Sequence, residues 1–237
     1  MDLRRYLRLK PYVGMVRRMD ITPVQTARGW RDDAKLHDRV PAFDEFADLA
    51  KEARARLLPH HTRYVEEVSN ATHAASIELA VFLDVFCSVG RPAAVADLGS
   101  GFSSFVLRSY ATRSDGDVSV WSVDDHPGWL EKTRNYLSEK GVGAEQVFVW
   151  NDFLPHVGAG NLDLVLHDMG RMEFRAETLE RVLTLTRAGG HVILDDVHKG
   201  PYRKHVHKVL EEKGLEWLSL KKLTCDGWAR YAYLVFT

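Results

Sequence analysis

From Pro92 onward the chain alternates between two textures, and that alternation leaves few folds open. Short runs rich in β-branched residues stand at 94–98, 118–123, 147–150, 162–167 and 191–194. Amphipathic helical patterns follow four of them, at 103–111, 128–140, 174–186 and 202–213, and only 151–160 is too short and broken to read as a helix. Strands joined through helices need crossover connections, and right-handed crossovers lay the strands parallel with helices on both faces. Two further runs, 215–221 and 229–236, have no helical pattern between them. The turn Thr224-Cys225-Asp226-Gly227 makes them an antiparallel hairpin at the sheet edge. The expected fold is α/β: a doubly wound, mostly parallel seven-stranded sheet with an antiparallel C-terminal hairpin.

Ahead of the sheet, 40–89 reads as helical. One helix opens near Pro41 and ends before Pro59, a second runs through Tyr64, Val65 and Val68, and a third spans 74–87. Gly90-Arg91-Pro92 closes the block. Residues 1–90 are thus expected to form a helical extension that contributes to a substrate site, and 91–237 the sheet domain. The extension also offers a surface for a homo-oligomer. Its start is basic, with Arg4, Arg5, Arg8, Lys10, Arg17 and Arg18 among apolar residues, but Pro11 and Gly14 interrupt any long amphipathic helix. A solvated face of a packed helix is the plainer reading of those charges. A net charge of -1 over 237 residues argues against a general nucleic-acid binder. No apolar run is long enough to span a bilayer, and no signal peptide is recognisable. Cys87 and Cys225 fit neither a disulfide framework nor a metal motif, so reduced packing residues in the cytoplasm are expected.

The first run ends AVADLGSGFSSF: Asp97, then Gly99 and Gly101, then Ser103 and Ser104 at the start of a helix. In open sheets, ligands sit beyond the carboxyl ends of the strands. Glycines there admit positive φ and let a ligand approach the backbone, while the helix N-terminus suits an anion. A dinucleotide would want GxGxxG, and the third glycine is missing here. S-adenosylmethionine brings no phosphate: an acid before the glycines suits its ammonium, and the serines suit its carboxylate. Asp124 closes the second run, where it can accept from ribose hydroxyls, and Asp152 follows the third, where it can accept from an adenine amino group. Any one of these aspartates could equally cap a helix.

With ADLGSG, SVDDHP, WNDF and LDLVLHD in place, the chain from about Tyr64 onward resembles the class I S-adenosylmethionine-dependent methyltransferases, which are Rossmann-like and carry an antiparallel last strand. The resemblance implies that Asp97, Gly99, Gly101, Ser103, Asp124 and Asp152 contact the cofactor. Strand four ends at His167-Asp168, and strand five at Asp195-Asp196 with His198 close behind. Hard oxygen donors on adjacent strand tips suit Mg²⁺, Mn²⁺ or Ca²⁺. The pattern is similar to metal-dependent, catechol-type O-methyltransferases and their sugar- and macrolide-modifying relatives. That likeness implies a divalent cation, Mg²⁺ foremost, on Asp168, Asp195 and Asp196, with Asp168 in the catalytic site. Those enzymes carry a lysine three residues after the first metal aspartate; here the position is Arg171, which cannot act as a base. His198, or else His167, becomes the candidate base.

The resulting expectation is methyl transfer to a hydroxyl of a small molecule. A metal-free N- or O-methyltransferase with a histidine base, or a cofactor-binding module without catalysis, are the alternatives, and Asp195-Asp196 could instead cap the following helix. Trp30, Trp129, Tyr202 and Trp228 are candidates to line the acceptor pocket, Trp129 being the one best read as core. Arg171, Arg175, Lys199, Arg203 and Lys204 gather near its mouth and point to an anionic or polyhydroxylated acceptor such as a glycosylated metabolite. His60, His61, His205 and His207 read as surface residues.

Overall fold

The computed structural model describes Lys35, Leu36, Arg39 and residues 45–237. The basic segment 4–18, Trp30 and the helix start at Pro41 lie outside the described residues. Two helices, α1 (Phe46–Glu67) and α2 (Ile77–Gly90), precede a run of β1 (Ala94–Leu98), α3 (Phe102–Arg113), β2 (Ser119–Asp124), α4 (Pro127–Glu139) and β3 (Val147–Val149). A single turn α5 (Trp150–Phe153) leads to β4 (Leu162–His167), α6 (Met172–Leu185), β5 (Thr186–Leu194) and α7 (Gly200–Glu212). The chain closes with β6 (Glu216–Ser219), the short α8 (Lys221–Thr224) and β7 (Tyr233–Phe236). The sheet has seven strands in the order β3-β2-β1-β4-β5-β7-β6. All pairs are parallel except those of β7, which runs antiparallel to both β5 and β6.

The expected fold is therefore the observed one, with three differences of detail. Proline does not end the first helix: α1 runs through Pro59 as one 22-residue helix, merging the first two expected helices. An internal proline loses one backbone hydrogen bond and crowds the preceding turn, at about 3 kcal/mol. Burial of Ala53, Leu57 and Tyr64, which flank it on one face, offsets that loss. Second, β6 and β7 are not a plain hairpin, because α8 and the loop after it let β7 pass inside β6. Third, part of 151–160 is helical, as α5 followed by one 3₁₀ turn at Leu154–His156.

One buried cluster joins α1, α2, α3 and α4 to one face of the sheet; the other joins α6 and α7 to the opposite face. In the described residues the helical extension thus shares a core with the strands. Asp84 on α2 is buried and holds Arg56 of α1 and Arg113 of α3, tying three helices at one point. At the strand ends, Arg230 donates to Thr72 O (2.9 Å) and Ala71 O (3.2 Å), which holds the loop before β7 against the loop between α1 and α2. Among the described residues no helix is long and apolar enough to cross a membrane. Cys87 and Cys225 form no disulfide; Cys87 is buried and Cys225 half-buried.

Candidate functional site

The strand order reverses beside β1, since β2 lies on one side of it and β4 on the other. The carboxyl ends there carry every acid singled out from the sequence. Asp97 is the penultimate residue of β1 and Asp124 the last of β2; Asp168 and Asp195 come directly after β4 and β5. Asp152 sits further out, exposed on α5.

Asp97 is fully buried, and its Oδ2 accepts hydrogen bonds from Ser103 Oγ (2.9 Å) and Ser104 Oγ. Ser104 Oγ in turn accepts from the Gly101 N–H (3.4 Å). Both serine hydroxyls therefore face inward, toward the aspartate. The other oxygen, Oδ1, is buried with no partner. Burial raises the carboxyl to about 7 despite the two serine hydrogen bonds. Asp124 accepts from the His126 N–H (3.0 Å) and is likewise raised to about 7, by burial first and by the adjacent Asp125 second.

The glycines do different work from each other. Gly99 has φ of 114°, and a Cβ there would lie 2.6 Å from the carbonyl carbon of Asp168. Its close approach is to the loop after β4, sealed by Asp168 N–H to Leu98 O at 2.6 Å. Gly101 is extended, at φ 167°, outside the left-handed region; its missing Cβ makes room for the Tyr64 hydroxyl, 3.1 Å away. That hydroxyl is buried and unpartnered. Trp129 roofs the turn by donating Nε1–H to Ser100 O at 2.6 Å.

At the ends of β4 and β5 the arrangement differs from the one expected. Arg175, in the first turn of α6 and 6% exposed, places Nη1 2.7 Å from Asp168 Oδ1 and 3.3 Å from Asp196 Oδ2. Lys199 Nζ lies 2.7 Å from the same Asp196 oxygen. Burial works against ionised Asp196, but Lys199 and Arg175 overcome it and hold the acid below its ordinary value. Burial raises Asp168 well above the carboxylate range against the pull of Arg175, and raises Asp195 to about 6. Asp196 adopts the left-handed region at φ 60°, which aspartate and asparagine enter more readily than most residues other than glycine. No side chain caps α7, so neither aspartate serves as its cap. Among the described residues no set of three His, Cys, Asp or Glu groups is disposed to hold a metal ion. The donor set for a divalent cation does not fit as it stands, because Arg175 and Lys199 already engage one oxygen of Asp168 and one of Asp196.

His198 Nδ1 lies 3.4 Å from Asp196 Oδ1, yet neither atom has a hydrogen-bond partner. Burial lowers its pKa, so it is neutral near pH 7 and free to accept a proton. His167 points the other way: it is fully buried, and Nε2 lies 3.0 Å from Thr178 Oγ1. Thr178 donates to Phe174 O (2.8 Å), so it accepts from His167, which carries its proton on Nε2. Burial lowers His167 to about 3.

Several readings are corrected here. The basic residues expected to attract an anionic acceptor are in part internally committed: Arg175 and Lys199 as above, and Arg203 to Tyr231 Oη (3.1 Å) and two backbone carbonyls. Arg171 and Lys204 are exposed. Four histidines read as surface residues are half-buried. His61 bonds Ala75 O and meets Phe102 edge-on, His60 packs on Phe105, His205 lies 3.1 Å from Ala176 O, and His207 stacks on Tyr233. Tyr202 is buried with an unpartnered hydroxyl, whereas Trp228 is 56% exposed. The bridging role of Arg175 went unrecognised in the sequence, although one signal was present. An arginine in a first helical turn opposes the helix dipole and so asks for an acidic partner.

No protein-family profile matches the sequence, and no curated protein matches it. Solved structures do. An O-methyltransferase of Streptomyces achromogenes, TomG, involved in tomaymycin synthesis and solved with S-adenosylmethionine, superposes with a TM-score of 0.56 at 18% identity, over 91% of this chain and 98% of that one. An O-methyltransferase from Bacillus cereus in complex with S-adenosylhomocysteine gives 0.57 at 13% identity, over 86% and 94%. A putative caffeoyl-CoA O-methyltransferase from Staphylococcus aureus gives 0.57 at 14%, over 82% and 98%. The chain has the class I S-adenosylmethionine-dependent methyltransferase fold.

Proposed function

We propose that this protein transfers the methyl group of S-adenosylmethionine to a hydroxyl oxygen of a small-molecule acceptor. The observation that carries the reading is the buried, unpartnered Oδ1 of Asp97 beneath the glycine turn. A buried acceptor with no donor calls for one from outside the chain, and an ammonium group supplies it with opposite charge. Asp124 accepts from ribose hydroxyls one strand away, and Asp152, exposed beyond β3, accepts from the adenine amino group. Gly99 and Gly101 keep the floor of the site flat, and Ser103 contributes by fixing Asp97. The solved neighbours with S-adenosylmethionine or S-adenosylhomocysteine bound support the same cofactor.

When bound, the cofactor supplies an electrophilic methyl carbon on a sulfonium. The acceptor's oxygen forms the new bond to that carbon as the carbon–sulfur bond breaks. The hydroxyl proton then needs a destination, and neutral His198 provides it. Asp168 fixes this end of the site by holding Arg175. The divalent cation implied by the sequence resemblance finds no support in this geometry, so the metal-free, histidine-based route is the reading we adopt.

Calorimetry with S-adenosylhomocysteine tests the cofactor half. Binding that weakens about tenfold or more in Asp97→Ala, a hydrogen-bonded charge being lost, is the expected result. Transfer of a labelled methyl group across a panel of phenols, alcohols and sugars tests the rest, with His198→Gln slowing turnover by about 10²-fold or more. A folded protein with no affinity for S-adenosylhomocysteine would overturn the proposal.

A further inference from the structure

Asp168, Asp195 and Asp196 bring up to three negative charges to two adjacent strand ends. Arg175 and Lys199 meet them with two positive charges, the charge of one divalent ion. A single nitrogen, Arg175 Nη1, bridges an oxygen after β4 to an oxygen after β5. That is the mechanical role an ion would play between the same loops. Guanidinium stays protonated in proteins, so this charge is permanent. An incoming Mg²⁺ would have to shed water beside two cations, with Asp168 Oδ1 and Asp196 Oδ2 already engaged.

A second observation lies in the same cluster. Arg175 Nε is buried without a partner, and so are Tyr202 Oη, Asp196 Oδ1 and His198 Nδ1. Arg175 and Tyr202 stand in the first turns of the two helices, α6 and α7, that follow the adjacent strands β4 and β5. Buried donors are paired in folded proteins unless something from outside completes them. An N–H and an O–H together ask for an oxygen with free lone pairs.

We propose that Arg175 is a built-in replacement for the divalent cation: it excludes the metal from Asp168, Asp195 and Asp196, and its Nε–H, with the Tyr202 hydroxyl, receives the acceptor's oxygen. The second half rests on the methyl-transfer reading; the first does not. The test is a Mn²⁺ titration of the chelator-treated full chain, with free ion counted by electron paramagnetic resonance. The wild type is expected to bind no Mn²⁺ below about millimolar concentration, weaker than dedicated cation sites. Arg175→Gln removes the blocking charge and is expected to gain a Mn²⁺ site. One ion bound at micromolar concentration by the wild type, and lost in Asp168→Asn, would overturn the proposal. So would a folded Arg175→Gln that stays blind to Mn²⁺. Should that variant fail to fold, Arg175→Lys decides: it keeps the charge but lacks Nε, so it stays metal-free while KM for the acceptor rises about tenfold or more. An unchanged KM refutes the docking role. S-adenosylhomocysteine calorimetry runs alongside, and its failure would sink the methyltransferase reading without touching the Mn²⁺ result.

Discussion

Replacing Gly99 and Gly101 separately by alanine should have very different consequences, although the two look equivalent in the sequence. At Gly99 the new Cβ would stand 2.6 Å from Asp168 C, 2.7 Å from its O and 2.9 Å from Met169 N. All three are backbone atoms of a loop pinned by the bond from Asp168 N–H to Leu98 O, so none yields cheaply. Overpacking of that kind costs about 1–3 kcal/mol. Holding a side-chain-bearing residue at φ 114° adds strain of about 1–3 kcal/mol. The total, about 2–6 kcal/mol, is a large share of an ordinary stability of about 5–15 kcal/mol. At Gly101 the backbone is extended and the nearest atoms are side-chain ends, Tyr64 Oη at 3.1 Å and Trp129 Nε1 at 3.8 Å. That substitution should cost under about 1 kcal/mol, and pairing it with Tyr64→Phe should recover part of the loss. Urea unfolding followed by tryptophan fluorescence measures both. With a slope of about 1–3 kcal/mol per molar, Gly99→Ala should lower the midpoint by at least about 0.7 M. Equal midpoints for the two variants, or Gly99→Ala within error of wild type, would refute the claim that the loops after β1 and β4 are locked backbone to backbone.

Three other outcomes follow from the buried groups. Asp97 and Asp124, raised to about 7, and Asp195, raised to about 6, all sit above the ordinary carboxylate value of 3.8. The folded state then binds protons that the unfolded state has released, so these groups add stability that is full below about pH 4 and is lost as pH rises toward 7. Thermal unfolding between pH 5 and 8, intervals set by those values, should show the slope, and Asp97→Asn should flatten it. Arg108→Ala should destabilise by about 3–5 kcal/mol in urea, because the guanidinium serves Ser122 Oγ and the carbonyls of Val120, Gly143 and Glu145 in a buried site. His167→Leu should change stability by under about 1 kcal/mol and leave methyl transfer intact, since Thr178 keeps its bond to Phe174 O and an unpartnered Nδ1 disappears.

Much of the architecture was legible because buried parallel strands and amphipathic helices write different periods into the chain. The runs at 94–98 and 162–167 coincide with β1 and β4, and those for β2, β3 and β6 differ by a residue or two at the ends, whereas β5 starts five residues before its expected run and β7 four residues after. What misled were local rules overruled by packing. Pro59 should stop a helix, but the buried faces on either side of it continue α1 to Glu67. The His60 and His61 pair looks solvated in sequence and instead packs on Phe105 and Phe102. At the site, the acids could be located because each ends or closely follows a strand. Their partners could not, since Arg175 reaches Asp168 seven residues back and Asp196 on the next strand's end, contacts that no local pattern encodes. Ser103 and Ser104 looked like ligand donors because a helix N-terminus usually faces outward, whereas both hydroxyls turn back to Asp97.

The position of β7 has a consequence for how the fold is reached. β6 is synthesised before β7 but touches the sheet only through it. While β7 is missing, β6 has no strand to zip onto, and β5 presents a bare row of amides and carbonyls to any passing extended segment. Pairing of the four residues Tyr233–Phe236 with β5 on one side and β6 on the other is thus what closes this edge. Until then the nascent chain is exposed to sticking to its own copies.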